Sequence, residues 1–270
     1  MPLLRAALLG LLQGLAEFLP VSSSGHLVLV PWLLGWQDPG LTYSAVVHLG
    51  TLVAVVIHFW EDIRELLVGG WQMVRFFSLK STSSRLALLI LVSALPGAVL
   101  GYALESYLEG IFGSAPAAAG ALLVTGCLIV LGERLSQGVK SIAQMGVSDA
   151  LLMGLAQAFA IVPGISRSGA TISVGLLRDF DREDATRFSF LMSIPIIVGA
   201  TGYSLLSLFV KGASSFDLLP LGVGFGTAFL GGYVAIGALL RHVRSHSLRP
   251  FAYYCWVVSI LSMLLCLLRR

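Results

Sequence analysis

Six stretches of about 20 residues each, at about 41–60, 84–104, 115–133, 188–210, 217–240 and 251–268, carry almost no charge. That is the length a helix needs to cross a hydrocarbon core about 30 Å thick. Lipid offers no hydrogen-bond partner to an unpaired backbone group, so such a chain folds as a bundle of membrane-spanning helices. Composition agrees. Of the 270 residues, 57% are hydrophobic and only 11% charged, with a mean hydropathy of +0.90, against about 25% charged in a soluble domain. No stretch is left over for a soluble domain. The net charge of +3 sits in connecting loops and implies no nucleic-acid partner. Cys127, Cys255 and Cys266 stand singly in apolar segments without metal-ligand spacing and read as small buried hydrophobes. The N-terminal apolar run lacks a small-residue cleavage site and leads straight into a serine cluster, as expected of mature protein.

Two further regions, about 3–36 and 149–178, have apolar runs too short to span, broken by clusters of Pro, Ser and Gly. This pattern suits helix pairs that enter the membrane, break and return. Shifting the sequence by 144 puts Gly10 on Gly154, Gln13 on Gln157, Ala16 on Ala160, Ser22 on Ser166, Ser24 on Ser168 and Gly25 on Gly169, so that SSSG falls on SRSG. Each broken region is followed by three spans. Three is odd, so the second half is expected to insert upside down relative to the first. The expected architecture is an all-α integral membrane protein: one domain, six full transmembrane helices and two re-entrant pairs, in inverted repeats of about 1–135 and 149–270. With the N-terminus outside, cytoplasmic loops hold twelve Lys and Arg (Arg64, Arg75, Lys80, Arg85, Arg134, Lys140, Arg178, Arg182, Arg187, Arg241, Arg244 and Arg249). The outside holds four: Arg5, Lys211, Arg269 and Arg270. The imbalance favours this orientation, with the terminal Arg pair against it.

The chemistry concentrates at the two breaks. Of fourteen acidic residues, only Glu17 lies inside an apolar helical run. A carboxylate at mid-membrane costs about 2.5–3.5 kcal/mol on insertion scales and ordinarily faces a cavity or a partner. Gln13, one helical turn earlier, projects beside it. Arg167, in IVPGISRSGAT, is the basic counterpart; it cannot lose its proton and needs an anion. Ser22, Ser23, Ser24, Ser166, Ser168 and Thr171 sit where the broken helices restart. Helix N-termini, hydroxyls and the close backbone approach allowed by Gly25 and Gly164 make each break an anion cradle. Two cradles with Arg167 between them would suit a diphosphate. His26, the one histidine next to a cradle, supplies with Glu17 a general acid or base, or a divalent-metal ligand. His48, His58, His242 and His246 read as a class as interfacial or packed, with His48 set apart because it lies within the span that follows the first break. Aromatics near span ends, Trp60 and Trp71 among them, form the interfacial belt. Glycines at i, i+4 spacing in 222–237 suggest close helix packing and a candidate homodimer contact.

QGLAE (13–17), PVSSSGH (20–26) and PGISRSGAT (163–171) resemble the linked motifs of the undecaprenyl-diphosphate phosphatase family of bacterial membranes, associated with bacitracin resistance. The resemblance runs the whole length. It implies hydrolysis of undecaprenyl diphosphate to undecaprenyl phosphate and inorganic phosphate, recycling the lipid carrier for peptidoglycan and other surface polymers. It also implies a divalent cation such as Mg²⁺, location in the inner membrane and an active site facing the periplasm. Position 13 is Gln, the less acidic form of the motif, which leaves Glu17 as the candidate metal ligand with phosphate oxygens and water. On this reading Glu17, Ser23, His26 and Arg167 are catalytic, and Gln13, Ser22, Ser24, Gly25, Gly164, Ser166, Ser168 and Thr171 bind the diphosphate. The attacking group stays open among Ser23, His26 and water, with His26 favoured. A transporter or flippase of polyprenyl phosphates is the alternative, since inverted repeats also serve transport.

Overall fold

The computed structural model describes residues 1–103, 114–210 and 217–269. Lys211 and Arg270, part of the charge count above, lie outside them. Among the described residues there are eleven α-helices: α1 (Leu3–Phe18), α2 (Ser23–Leu34), α3 (Gly40–His58), α4 (Trp60–Phe76), α5 (Thr82–Ala103), α6 (Ala115–Leu135), α7 (Val147–Phe159), α8 (Arg167–Leu177), α9 (Arg182–Val210), α10 (Leu218–Val243) and α11 (Arg249–Leu268). Six of them, α3, α5, α6, α9, α10 and α11, are long and apolar enough to cross a membrane. The shorter pairs α1–α2 and α7–α8 are the two interrupted regions. This is a multi-pass, all-helical membrane protein.

Three expectations change. The stretch 61–85 is not simply a loop but contains α4, which exposes Leu67, Val68, Trp71 and Val74. Glu61 and Asp62 in its first turn and Arg75 in its last complement the helix dipole. One apolar stripe on a charged helix suits the membrane–water interface rather than the membrane interior; the charges that excluded a span had hidden the helix. Cys127 is exposed, while Cys255 is buried and Cys266 half-buried. Finally, the basic residue at the C-terminal end of α11 has local work. Arg269 donates to the carbonyls of Trp32 and Leu33 at 3.2 Å each and lies 4.9 Å over the Trp32 ring, closing the end of α2.

Both breaks follow from local sequence. Leu19 is extended ahead of Pro20, which cannot continue a helix, and α2 restarts with the Ser22 hydroxyl accepting from the Gly25 N–H at 3.2 Å. In the second, Pro163 and Gly164 turn the chain, Gly164 at φ +99°, and α8 restarts with the Ser166 hydroxyl accepting from the Gly169 N–H at 3.0 Å.

Small residues decide how the pieces pack. α1 lies on α10, where a side chain at Gly10 would strike the backbone of Gly224 and one at Gly14 that of Ala228 and Gly232. α7 lies on α5, with Gly154 against the backbone of Ser93. Each broken pair therefore leans on a span from the other half. Gly224, Gly231 and Gly232 of α10 are used inside the chain, leaving open space at Gly222 and Gly226. At the end of the bundle opposite the N-terminus, Arg182 grips the buried Glu133 through two bonds of 2.9 and 2.7 Å, and Glu133 also accepts from the Leu248 N–H at 2.8 Å. Nearby, Asp149 pairs with Lys140 and, at 2.8 Å, with Arg178. These contacts fix the base of α7–α8 so that its tip reaches the first break.

Candidate active site

The tips of the two broken pairs touch. The Ser168 hydroxyl donates to the Leu19 carbonyl at 3.2 Å, and a side chain on Gly25 would begin 2.9 Å from the Gly164 Cα. Beside this contact opens a cavity of about 510 Å³, lined among others by Glu17, Ser22, Ser23, Ser24, Ser166 and Arg167. Leu27, Val28, Ile161, Ile165, Ile196 and Ile197 form much of its remaining wall. Its polar side chains can hold an anionic head group and its apolar wall an apolar chain.

Glu17, on the last turn of α1, organises the polar side chains. Its Oε2 accepts from the Ser23 hydroxyl at 2.6 Å and from Gln13 Nε2 at 3.0 Å, and its Oε1 accepts from Arg167 Nη2 at 3.2 Å. Glu17 is 7% exposed and the Arg167 side chain 13%. Taking both charges this far out of water is offset by pairing them, and removing one partner of a buried pair typically costs about 3–5 kcal/mol. Arg167 Nη1 also donates to the Ser189 carbonyl at 3.2 Å, while its Nε is buried without a partner. The guanidinium is thus held in place with donor capacity to spare.

Other expected site residues lie just outside the cavity. Thr171 stands behind Arg167, its hydroxyl donating to the Arg167 carbonyl at 2.8 Å and lying 2.6 Å from the Ser189 hydroxyl. Gly25, Gly164 and Ser168 make the tip contact. Gln13 reaches the site only through Glu17. His26 is turned away: its Nδ1 is 2.8 Å from the Ser22 carbonyl, its Nε2 is 2.8 Å from the Tyr254 hydroxyl, and its ring stacks on that tyrosine. The structure therefore does not bring His26 into the cavity. Its contact pins Ser22, a non-glycine residue at φ +72°; a backbone in such a sparsely populated region costs about 1–3 kcal/mol and needs its surroundings to hold it.

Three participants were not among the expected site residues. His48, eight residues into α3, lines the cavity with Nδ1 2.7 Å from the Ser44 carbonyl and Nε2 3.7 Å from Glu17 Oε2. Its sequence signal was its place within the span that follows the first break. Thr125 of α6 accepts from the Ser166 N–H at 2.9 Å and donates to the Gly164 carbonyl at 3.0 Å, bracing the second break. Ser189 of α9 steadies Arg167. Both were ordinary small residues in apolar spans.

Among the described residues no group of three or more His, Cys, Asp or Glu could hold a metal ion. The oxygen donors present are Glu17, Ser23 and the Gln13 Oε1, which is buried and unpaired. One carboxylate with neutral oxygens fits a hard cation that arrives with phosphate, since Mg²⁺ keeps most of its ligands as water and substrate oxygens.

This geometry, two broken pairs carrying QxxxE, SSSGH and SRSGAT to one cavity, lies within residues 6–261, which match the model of the family described as bacitracin resistance protein BacA. The chain belongs to the BacA family. Its BacA relatives are similar along nearly their whole length. An undecaprenyl-diphosphatase of Pelobacter propionicus is 43% identical over 255 residues, covering 94% of this chain and 93% of that one. That of Halothermothrix orenii is 42% identical over 265 residues, 98% of each chain, and that of Moorella thermoacetica is 40% identical over 270 residues, the whole of both.

Proposed function

We propose that this BacA-family chain is an undecaprenyl-diphosphatase, releasing inorganic phosphate from undecaprenyl diphosphate and so returning the lipid carrier to peptidoglycan and related polymer synthesis. One observation carries the reading: a carboxylate–serine pair from the first break and a guanidinium from the second meet in a cavity that also has apolar walls.

The chemistry follows from these positions. Phosphoryl transfer needs positioned cations and N–H donors more than elaborate covalent machinery. Arg167 supplies a fixed fork of donors for the terminal phosphate. Ser23 is the nucleophile, because its hydroxyl already donates to Glu17 at 2.6 Å. Its Oγ forms a bond to the terminal phosphorus as the bond from that phosphorus to the bridging oxygen breaks. The serine proton passes to Glu17 and on to the freed bridging oxygen as undecaprenyl phosphate leaves, so the carboxylate is ready to accept again. Water then attacks the phosphoserine, giving its proton to Glu17, and inorganic phosphate departs as Ser23 regains a proton. His48 Nε2 lies 3.7 Å from Glu17 Oε2, the oxygen that the Ser23 hydroxyl also reaches. His26, rather than attacking, holds Ser22 and with it the start of α2. A Mg²⁺ ion would be held by Glu17 with phosphate oxygens and water and would neutralise charge on the diphosphate.

The site faces the periplasm from the inner membrane. Gly40, Leu41 and Ser44 at the start of α3 and Ala200, Thr201 and Ser204 late in α9 line the cavity, and both ends lie on the side of Met1, which carries few basic residues. The crossed packing of α1 on α10 and α7 on α5 supports the inverted repeat. A homodimer through α10 has Gly222 and Gly226 left to use.

The test is phosphate release from undecaprenyl diphosphate by purified protein with Mg²⁺, compared with Arg167→Ala. Rapid quench with substrate labelled in the terminal phosphate should trap the label on Ser23. We expect the variant to lose about 10³-fold or more; normal turnover would sink the reading.

A further inference from the structure

The shift of 144 that superposes the breaks takes Gln13 to Gln157 but takes Glu17 to Ile161. In the first break the glutamine amide donates to the carboxylate one turn on, at 3.0 Å. In the second that carboxylate is missing. Gln157 is 3% exposed, and neither its Nε2 nor its Oε1 has a hydrogen-bond partner. It also lines the cavity that holds Glu17, Ser23 and Arg167. Its Nε2 lies 4.0 Å from where a side chain on Gly97 of α5 would begin, so the glycine leaves the amide room.

A buried amide with both poles unsatisfied pays its full desolvation cost, which a protein ordinarily avoids by pairing the group or replacing it with an apolar one. Here an apolar residue would fit, since the neighbouring wall is Ile161 and Ile196. The amide donates to an anion in one break and faces a substrate cavity in the other.

Building on the phosphatase reading above, we propose that Gln157 is a substrate-binding residue: its amide N–H donates to a non-bridging oxygen of the lipid diphosphate, and its carbonyl accepts from a water that enters with the head group. The substrate's anion then stands to Gln157 as Glu17 stands to Gln13. Arg167 contributes charge, and Gln157 contributes a neutral donor from a different helix, so the head group is gripped from two directions before bonds change.

The test compares wild type with Gln157→Leu and with Gln157→Met, an unbranched replacement should the first fail to fold. Each is measured for affinity toward farnesyl methylenediphosphonate, a non-hydrolysable prenyl bisphosphonate, for hydrolysis of farnesyl diphosphate and for thermal midpoint. The expected result is a split. Affinity falls about 10–100-fold, as for a lost hydrogen bond to a charged group, and hydrolysis at low substrate falls with it. The thermal midpoint holds or rises, because an unsatisfied amide has been removed. Affinity within twofold of wild type in a folded variant would overturn the proposal, and so would parallel loss of affinity and midpoint in both variants, which would mark Gln157 as a packing residue. Failure of the wild type to bind the analogue or to hydrolyse the substrate would instead overturn the phosphatase reading, and this inference with it.

Discussion

The two breaks use the same frame for different chemistry. In each, the first serine of the SxSG run caps the new helix: Ser22 accepts from Gly25 N–H and Ser166 from Gly169 N–H, at 3.2 and 3.0 Å. In each, the first and third serines lie side by side, 3.4 Å apart in one and 3.2 Å in the other. The residue between them differs, and it is the one that reaches Glu17: Ser23 at 2.6 Å and Arg167 at 3.2 Å. The serines shared by the two breaks thus build the turns. The unshared residues, Glu17, Ser23 and Arg167, bring opposite charge and a hydroxyl to one place.

If that division is right, substitutions at unshared positions should hurt far more than their counterparts across the repeat. The largest contrast is Glu17→Gln against Ile161→Val. The first removes the base and the partner of Arg167, and we expect phosphate release to fall by about 10³-fold, within the usual range for a lost acid–base group. The second trims one methyl from the cavity wall, with an expected cost of about 0.5–1.5 kcal/mol in stability and near-normal turnover.

Next comes the middle serine against the first. Ser23→Ala should lower kcat by about 10²-fold or more with the thermal midpoint little changed, whereas Ser166→Ala removes only a cap and should cost about 1 kcal/mol of stability. Equal losses of kcat in these two proteins would break the comparison.

A smaller effect tests the reading of His26. Tyr254→Phe leaves His26 Nε2 without its partner, loosening the clamp on Ser22, and turnover should fall by about 5–10-fold, the value of one hydrogen bond. Because His26 is given no proton-transfer role, the pH profile of kcat should keep its shape. A displaced limb in that profile would restore His26 to acid–base chemistry.

Much of this was legible in the sequence because it depends on length and spacing. Apolar runs near 20 residues marked the spans, and Pro and Gly at the end of shorter runs marked the breaks. Glu17 and Arg167 stood out because a charge in an apolar run is costly wherever the chain goes. What spacing could not tell was the direction of a side chain. His26 is only three residues from Ser23, yet it leaves α2 toward Tyr254 of α11 while Ser23 points to Glu17. His48, Thr125, Ser189 and Gln157 gain their meaning from neighbours on other helices. Helix α4 escaped notice because its charges ruled out a span before its apolar stripe was weighed.

The central claim is that the two breaks form one catalytic unit, and a double-mutant cycle between Ser23→Ala and Arg167→Ala, read as phosphate release from undecaprenyl diphosphate, tests it most directly. Residues that act as a unit are strongly non-additive, so the double variant should be about as slow as the slower single variant. A rate reduction equal to the product of the two single effects would contradict the account, because each break would then contribute independently.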